Sequence, residues 1–194
     1  EKFAPLLRAK TILDLGCGKG VRMRFINRHH QFYCVGADTF KPYLSEAKKQ
    51  HIHNDNVLCD VRNLPFERKS FDIVIAMELL EHLEREDGLR LLEEMEGIAR
   101  RQVIISTPVG KYEQHTYDGN PHQEHKHIWD PAELKELGYK VKTLGIRNMG
   151  GEGGLASRLP RSIKPLSNIL WVVAGPFTRF SPKLAGDMVG VKRL

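Results

Sequence analysis

Cysteine is scarce in this 194-residue chain, with only three copies. Cys17, Cys34 and Cys59 have neither the spacing of a zinc site nor that of a redox pair. An odd number of cysteines in or beside apolar runs argues against a disulfide framework and points to a reducing, cytoplasmic setting. Long apolar runs are missing too. The longest, ILWVVAGPF from Ile169, is interrupted by Gly175 and Pro176 and falls short of the ~20 residues a membrane span needs, so a soluble protein with no transmembrane segment is expected. The chain also lacks a block of one charge sign. Its net charge of +6 favours an acidic or phosphorylated partner, but the basic residues are scattered through RMRFINRHH, EAKKQ, IARRQ and GVKRL. A solvated basic surface is therefore expected in preference to a nucleic-acid site. No internal repeat, linker or basic-then-apolar leader occurs, and residues 1–194 read as one domain. The first residue is not Met and EKFAPLLRA already looks helical, so further residues upstream of Glu1 are expected.

The chain is 41% hydrophobic and 28% charged, enough apolar surface for an ordered core. Short runs rich in β-branched residues alternate with amphipathic stretches, the pattern of parallel strands joined by crossover helices. The expected strands are TILDLG, FYCVGAD, NVLCD, FDIVIAM, QVIIST, YKVKTLGI and DMVGVKR. The expected helices are VRMRFINRHH, PYLSEAKKQHI and EDGLRLLEEMEGIAR, the last with Leu89, Leu92, Met95 and Ile98 as its buried stripe. Pro42 suits a first helical turn. Segments 107–131 and 147–162 break the rhythm, as functional loops do, and GGEGG within the second reads as a flexible loop. RSIKPLSNILWVVAGPFTRF reads as a helical cover for the sheet. Its alternative role is a lid or interfacial surface for a lipid-like acceptor, helped by Arg161, Lys164 and Arg179.

TILDLGCGKG runs from a buried strand into a glycine turn and a helix. Gly16, Gly18 and Gly20 let the backbone approach a ligand closely. The third glycine arrives one residue too early for a dinucleotide fingerprint, so an NAD-dependent oxidoreductase conflicts with the spacing. Asp14 inside the strand suits a ligand with ammonium or sulfonium charge. Asp38 ends the second strand 22 residues after Gly16, where acidic side chains accept from ribose hydroxyls. Asp60 ends the third and suits an adenine amino group. Each alone reads as a turn or cap residue; three on successive strand ends point to a nucleoside site.

ILDLGCGKG, VGAD, CDVRNLPF and FDIVIAMELLEHL, in this order, resemble the class I S-adenosylmethionine-dependent methyltransferases. The resemblance implies an α/β, doubly wound, Rossmann-like seven-stranded sheet, mostly parallel, with the antiparallel last strand DMVGVKR beside the fifth. It implies that Asp14, Gly16, Cys17 and Gly18 line the methionine and ribose side, Asp38 holds the ribose, Asp60 and Val61 face the adenine, and Met77 lies near the sulfonium.

MELLEHL follows the fourth strand. If it is helical, Glu78, Glu81 and His82 share one face. The plainer reading is an acidic helix start or a braced loop. The distal loop adds His115, His122, His125 and His127; its Tyr112 and Tyr117 read as surface-loop packing, with orientation of an acceptor as the alternative. E-x-x-E-H, then STP and an H-x-H-x-W element, is similar to two branches of the superfamily. These are the ubiquinone-pathway O-methyltransferases and the small-RNA 2′-O-methyltransferases. That similarity implies a divalent cation such as Mg²⁺ on Glu78, Glu81, His82 and His125, while His82 or His125 alone suits a catalytic base. The expected activity is O-methylation of a small-molecule acceptor. RNA 2′-O-methylation and a non-catalytic cofactor-binding partner protein are the alternatives.

Overall fold

The computed structural model describes residues 9–110, 118–144 and 185–194. The helix expected at the amino terminus, His115, Tyr112, Tyr117, the loop expected at GGEGG and the cover expected over 161–180 lie outside the described residues. In chain order the elements are β1 (Thr11–Leu15), α1 (Val21–Ile26), β2 (Tyr33–Asp38), α2 (Lys41–Lys49), β3 (Asp55–Leu58), β4 (Phe71–Met77), α3 (Arg85–Ile98), β5 (Ala99–Pro108), α4 (Pro131–Glu136), β6 (Lys140–Leu144) and β7 (Asp187–Arg193). All seven expected strands form one sheet of order β3-β2-β1-β4-β5-β7-β6. β1 to β5 pair in parallel, whereas β7 runs antiparallel between β5 and β6. The expected Rossmann-like fold, with its antiparallel last strand beside the fifth, is therefore what the chain adopts.

Strand periodicity of two divides the core between the sheet's faces. From β1, Leu13 and Leu15 enter one cluster with Val74, Ala76, Met95 and Trp129, while Ile12 enters the other with Met23, Cys34, Ile73 and Ile75. In α3, Leu92, Met95 and Ile98 are buried as the spacing required, and Leu89 is half-buried. Pro42 stands in the first turn of α2.

The first two helices are shorter than their patterns suggested. α1 stops at Ile26, and Asn27 then bonds the backbone of Phe32 on both N and O, closing a turn. His51, with φ 50°, ends the region after α2. α3 ends at Ile98 and β5 begins at Ala99 without an intervening loop, so Arg100 belongs to the strand. α4 has no counterpart in the expectations. Asp130 caps it by accepting from the Ala132 amide, and Pro131 starts it.

Strand order reverses between β1 and β4, whose neighbours lead away in opposite directions. In open α/β sheets the crevice outside the strand ends at such a point is where ligands bind.

Candidate active site

β1 leads into the glycine turn at this crevice. Gly16 and Gly18 take left-handed φ of 63° and 54°. A Cβ on Gly16 would strike Leu79 at 2.7 Å, whereas one on Gly18 would meet only Tyr43 at 4.0 Å, so Gly18 opens toward free space. Asp38, at the end of β2, anchors the turn. Its Oδ2 accepts from the Gly18 amide at 2.7 Å and its Oδ1 from the Phe40 amide at 2.7 Å. Burial pushes its carboxyl up and those amides pull it back.

All of Asp14, Gly16, Cys17, Gly18, Asp38, Asp60, Val61 and Met77 line one cavity of about 680 Å³, a size typical of small-molecule sites. Sequence neighbours do not explain that convergence; the strand ends do. Two of the eight differ in detail from what their types suggested. Both oxygens of Asp60 are held by Arg62, whose guanidinium keeps the carboxyl below its usual range. Burial and the nearby Asp14 push the Cys17 thiol up, leaving it a protonated, inert wall.

The far wall contains Glu78 and His82. MELLEHL is not a helix: one 3₁₀ turn covers Leu80–His82, and Glu78 has φ 57°, a conformation that costs a non-glycine residue about 1–3 kcal/mol. Glu78 consequently parts from the other two. Glu78 turns to Ser106, whose Oγ donates to its Oε1 at 2.5 Å, and Arg22 lies 3.9 Å away. Glu81 is buried at 2% exposure. Its Oε2 has no hydrogen-bond partner, and burial followed by the neighbouring Glu78 pushes its carboxyl well up.

Against this turn packs the histidine loop, which the sequence linked to it only by resemblance. Trp129 Nε1 donates to the Leu80 carbonyl at 3.1 Å, and the Lys126 and His127 amides donate to the Glu81 carbonyl. His82 Nδ1 lies 3.1 Å from the Glu124 carbonyl. A carbonyl only accepts, so Nδ1 carries the proton and Nε2 keeps its lone pair. Desolvation lowers the His82 pKa to about 4, leaving the ring neutral. The His82 and His125 rings stand 4.9 Å apart.

Among the described residues, Glu81, His82 and His125 bring ligand atoms within 4.8 Å of one another. Glu78 is not in that group. His122 reaches the cavity instead and faces Asp38 and Asp60, while His127 stacks edge-on against Trp129. Three participants escaped the sequence reading. His53 touches Asp14. Asp187, at the start of β7, is raised to about 6 by burial and then by Glu78. Trp129 closes the H-x-H-x-W element, a pattern that does not disclose its bond to the Leu80 carbonyl.

An open sheet, a glycine turn and acidic strand ends around one crevice define a nucleoside-cofactor α/β domain. Residues 12–102 match the family described as a methyltransferase domain. The chain is 26% identical over 152 residues to the tRNA U34 carboxymethyltransferase of Pseudoalteromonas atlantica, covering 74% of this chain and 46% of that protein. It is 35% identical over 81 residues to the ubiquinone biosynthesis O-methyltransferase of Coxiella burnetii, covering 40% of this chain and 34% of the relative. In structure it is similar to a SAM-dependent methyltransferase from Archaeoglobus fulgidus, with TM-score 0.64 and 16% identity over 100% of this chain and 91% of that one. Residues 12–102 thus carry a methyltransferase domain, and the fold around them is that of the class I S-adenosylmethionine-dependent methyltransferases. It spans less than half the length of these curated relatives. No helix among the described residues is long and apolar enough to cross a membrane.

Proposed function

We propose that the protein transfers the methyl group of S-adenosylmethionine to a hydroxyl oxygen of a small molecule. The observation that carries this reading is the shared cavity: the eight expected cofactor residues form one side, and Glu78 and His82 form the wall beyond Met77. In the reaction the acceptor oxygen bonds to the methyl carbon as the carbon–sulfur bond breaks. The electron pair stays on sulfur and S-adenosylhomocysteine leaves. The hydroxyl proton goes to His82 Nε2, the ring atom left with a lone pair. Positioning does most of the rest, since an in-line displacement needs alignment above all.

The roof over this space, Asn120, His122, Gln123 and Lys126, leaves a cavity suited to a compact acceptor. The test is to incubate the protein and radiolabelled donor with cell extract, then divide the extract into small molecules, RNA and protein. Label in the small-molecule fraction that survives ribonuclease is expected. Label confined to RNA would replace this acceptor class with the RNA alternative, and donor binding without any product would favour a non-catalytic cofactor-binding partner.

A second reading has its own observation. Glu81 Oε2 is buried without a partner beside two imidazoles, and such an oxygen costs about 1–3 kcal/mol. Glu81, His82 and His125 fit a divalent cation. One carboxylate with two imidazoles suits a transition ion better than Mg²⁺, which prefers an all-oxygen shell. Bound there, the ion would acidify an acceptor hydroxyl. Turnover that falls in chelator and returns with Mn²⁺ or Zn²⁺ supports this reading; full turnover in chelator removes it.

A further inference from the structure

The face of the sheet opposite α3 contains one polar contact that the proposed reaction leaves unused. His53 follows α2 and is fully buried at its side chain, and its Nε2 lies 2.9 Å from Asp14 Oδ2. The contact is made across β2. Gly36 is the register partner of Asp14 on that strand, and a Cβ on Gly36 would meet His53 Nδ1 at 2.7 Å. Only a residue without a side chain leaves room for the ring to lie over the strand and reach β1. The sequence separation is 39 residues, so the arrangement is tertiary and built by three separate elements.

The ring's protonation follows from its surroundings. Nε2 faces a carboxylate, which only accepts, and therefore carries a hydrogen. Nδ1 is buried with no hydrogen-bond partner. Asp14 meanwhile lines the cavity. Burial, its largest influence, raises its carboxyl; His53 opposes that, Asp38 adds to it and Arg22 opposes it.

We infer that His53 is a positioning residue for the cofactor: its Nε2–H ties one oxygen of Asp14, holding the carboxylate as an oriented anion for the ammonium of the cofactor's methionine arm. The inference rests on the proposed reading of Asp14 as a methionine-side ligand. A tethered anion keeps its direction and hydrogen bonding in a dry site, where a free carboxyl would turn or take up a proton. Gly36 is part of the same device because it makes the path for the ring.

The experiment compares two ligands by calorimetry. S-adenosylhomocysteine has the amino-acid arm, and 5′-methylthioadenosine has the nucleoside without it. In His53→Met, affinity for S-adenosylhomocysteine is expected to fall about tenfold or more, as for a lost hydrogen bond to a charged group, with 5′-methylthioadenosine within twofold of the parent. His53→Gln, which keeps an N–H donor, is expected to restore most of the loss. Gly36→Ala, which touches neither partner's chemistry, is expected to produce the same selective loss by displacing the ring. On an Asp14→Asn background, His53→Met is expected to cost nothing further, the signature of action through Asp14.

Equal weakening of both ligands by His53→Met and Gly36→Ala would reduce His53 to a packing residue and overturn the inference. So would unchanged binding of both. If His53→Met does not fold, as read by circular dichroism, Gly36→Ala and His53→Gln decide between the same outcomes. Parental protein that binds neither ligand would overturn the cofactor reading itself, an outcome distinct from a selective failure at His53.

Discussion

At the cofactor end of the cavity, the groups that await a ligand already have protein partners. Asp38 accepts one backbone amide on each oxygen, Asp14 is tied by His53, and Asp60 is held by Arg62. At the acceptor end the account is different. Behind its wall Glu81 Oε2, Thr107 Oγ1 and His127 Nε2 are buried without hydrogen bonds, against His53 Nδ1 behind Asp14 at the first end, and Glu78 sits in a left-handed conformation. A native interior tolerates few such groups, and they gather where function requires them. The first end is organised before anything binds. The second lies against unmet polar capacity at Glu81, behind the cavity wall.

The loop that braces the acceptor end gives the largest expected effect. Trp129 is 1% exposed and joins the main core, so Trp129→Ala should lower unfolding free energy by about 3–5 kcal/mol. Trp129→Phe keeps most of the packing and loses the bond to the Leu80 carbonyl, at about 1 kcal/mol. Chemical denaturation measures both. If the two ends are separately organised, the Phe variant should retain parental affinity for S-adenosylhomocysteine while losing turnover. A matching fall in affinity would break the comparison.

At the other end, Asp38→Ala removes two charge-assisted bonds to the turn as well as the expected ribose partner. Affinity for S-adenosylhomocysteine should drop about 100-fold or more, since such bonds contribute about 1.5–3 kcal/mol each. A change below threefold in calorimetry would show that the turn holds its shape without Asp38.

The same contrast governed what the residues disclosed in advance. The cofactor end is local: a strand period of two, glycines at a turn and carboxylates at strand ends each leave a mark over a few positions. Asp14, Gly16, Gly18, Asp38 and Asp60, named from such marks, meet at the cavity, as do Cys17, Val61 and Met77, which the family resemblance alone supplied. His53 left no mark, because its role depends on Gly36 lying opposite Asp14 in the β1–β2 register. At the acceptor end, E-x-x-E-H was visible as a cluster, but its geometry was not. Helical spacing would have placed Glu78, Glu81 and His82 together. The fold instead uses a left-handed Glu78 and a single 3₁₀ turn, sending Glu78 to Ser106 and Glu81 inward. α4 was hidden for a related reason: six residues are too few to show helical periodicity, and Asp130 and Pro131 mark its start only once the loop before it is known to end.

Glu81→Leu sharpens the comparison from the side of stability. It removes a buried carboxyl with an orphaned oxygen, and relieving such an unpartnered group recovers about 1–3 kcal/mol. Thermal unfolding in chelator should therefore show a higher Tm for the variant than for the parent. Adding Mn²⁺ should raise the parental Tm and leave that of Glu81→Leu unchanged, as expected when an ion binds only the folded state. A variant less stable than its parent in chelator would mean that the apparent vacancy at Oε2 is already compensated.

The smallest effect concerns the bridge between the two ends. Lys19, between Gly18 and Gly20 of the glycine turn, pairs with Asp118 at 2.6 Å and Glu46 at 3.5 Å, and lies over the Tyr43 ring. Asp118 leads into the segment that contributes Asn120, His122 and Gln123 to the roof, so this pair links the cofactor turn to the acceptor side. Both side chains are substantially exposed, 34% and 44%, and ion pairs of that kind contribute little and weaken with salt. Lys19→Met should change affinity for S-adenosylhomocysteine by less than about threefold near physiological ionic strength, with the difference shrinking further as salt is raised. A larger, salt-resistant loss of affinity accompanied by faster dissociation would show that the roof and the turn move as one unit. The distinction between a finished end and an open one would then give way to a single clamp closed by Lys19 and Asp118.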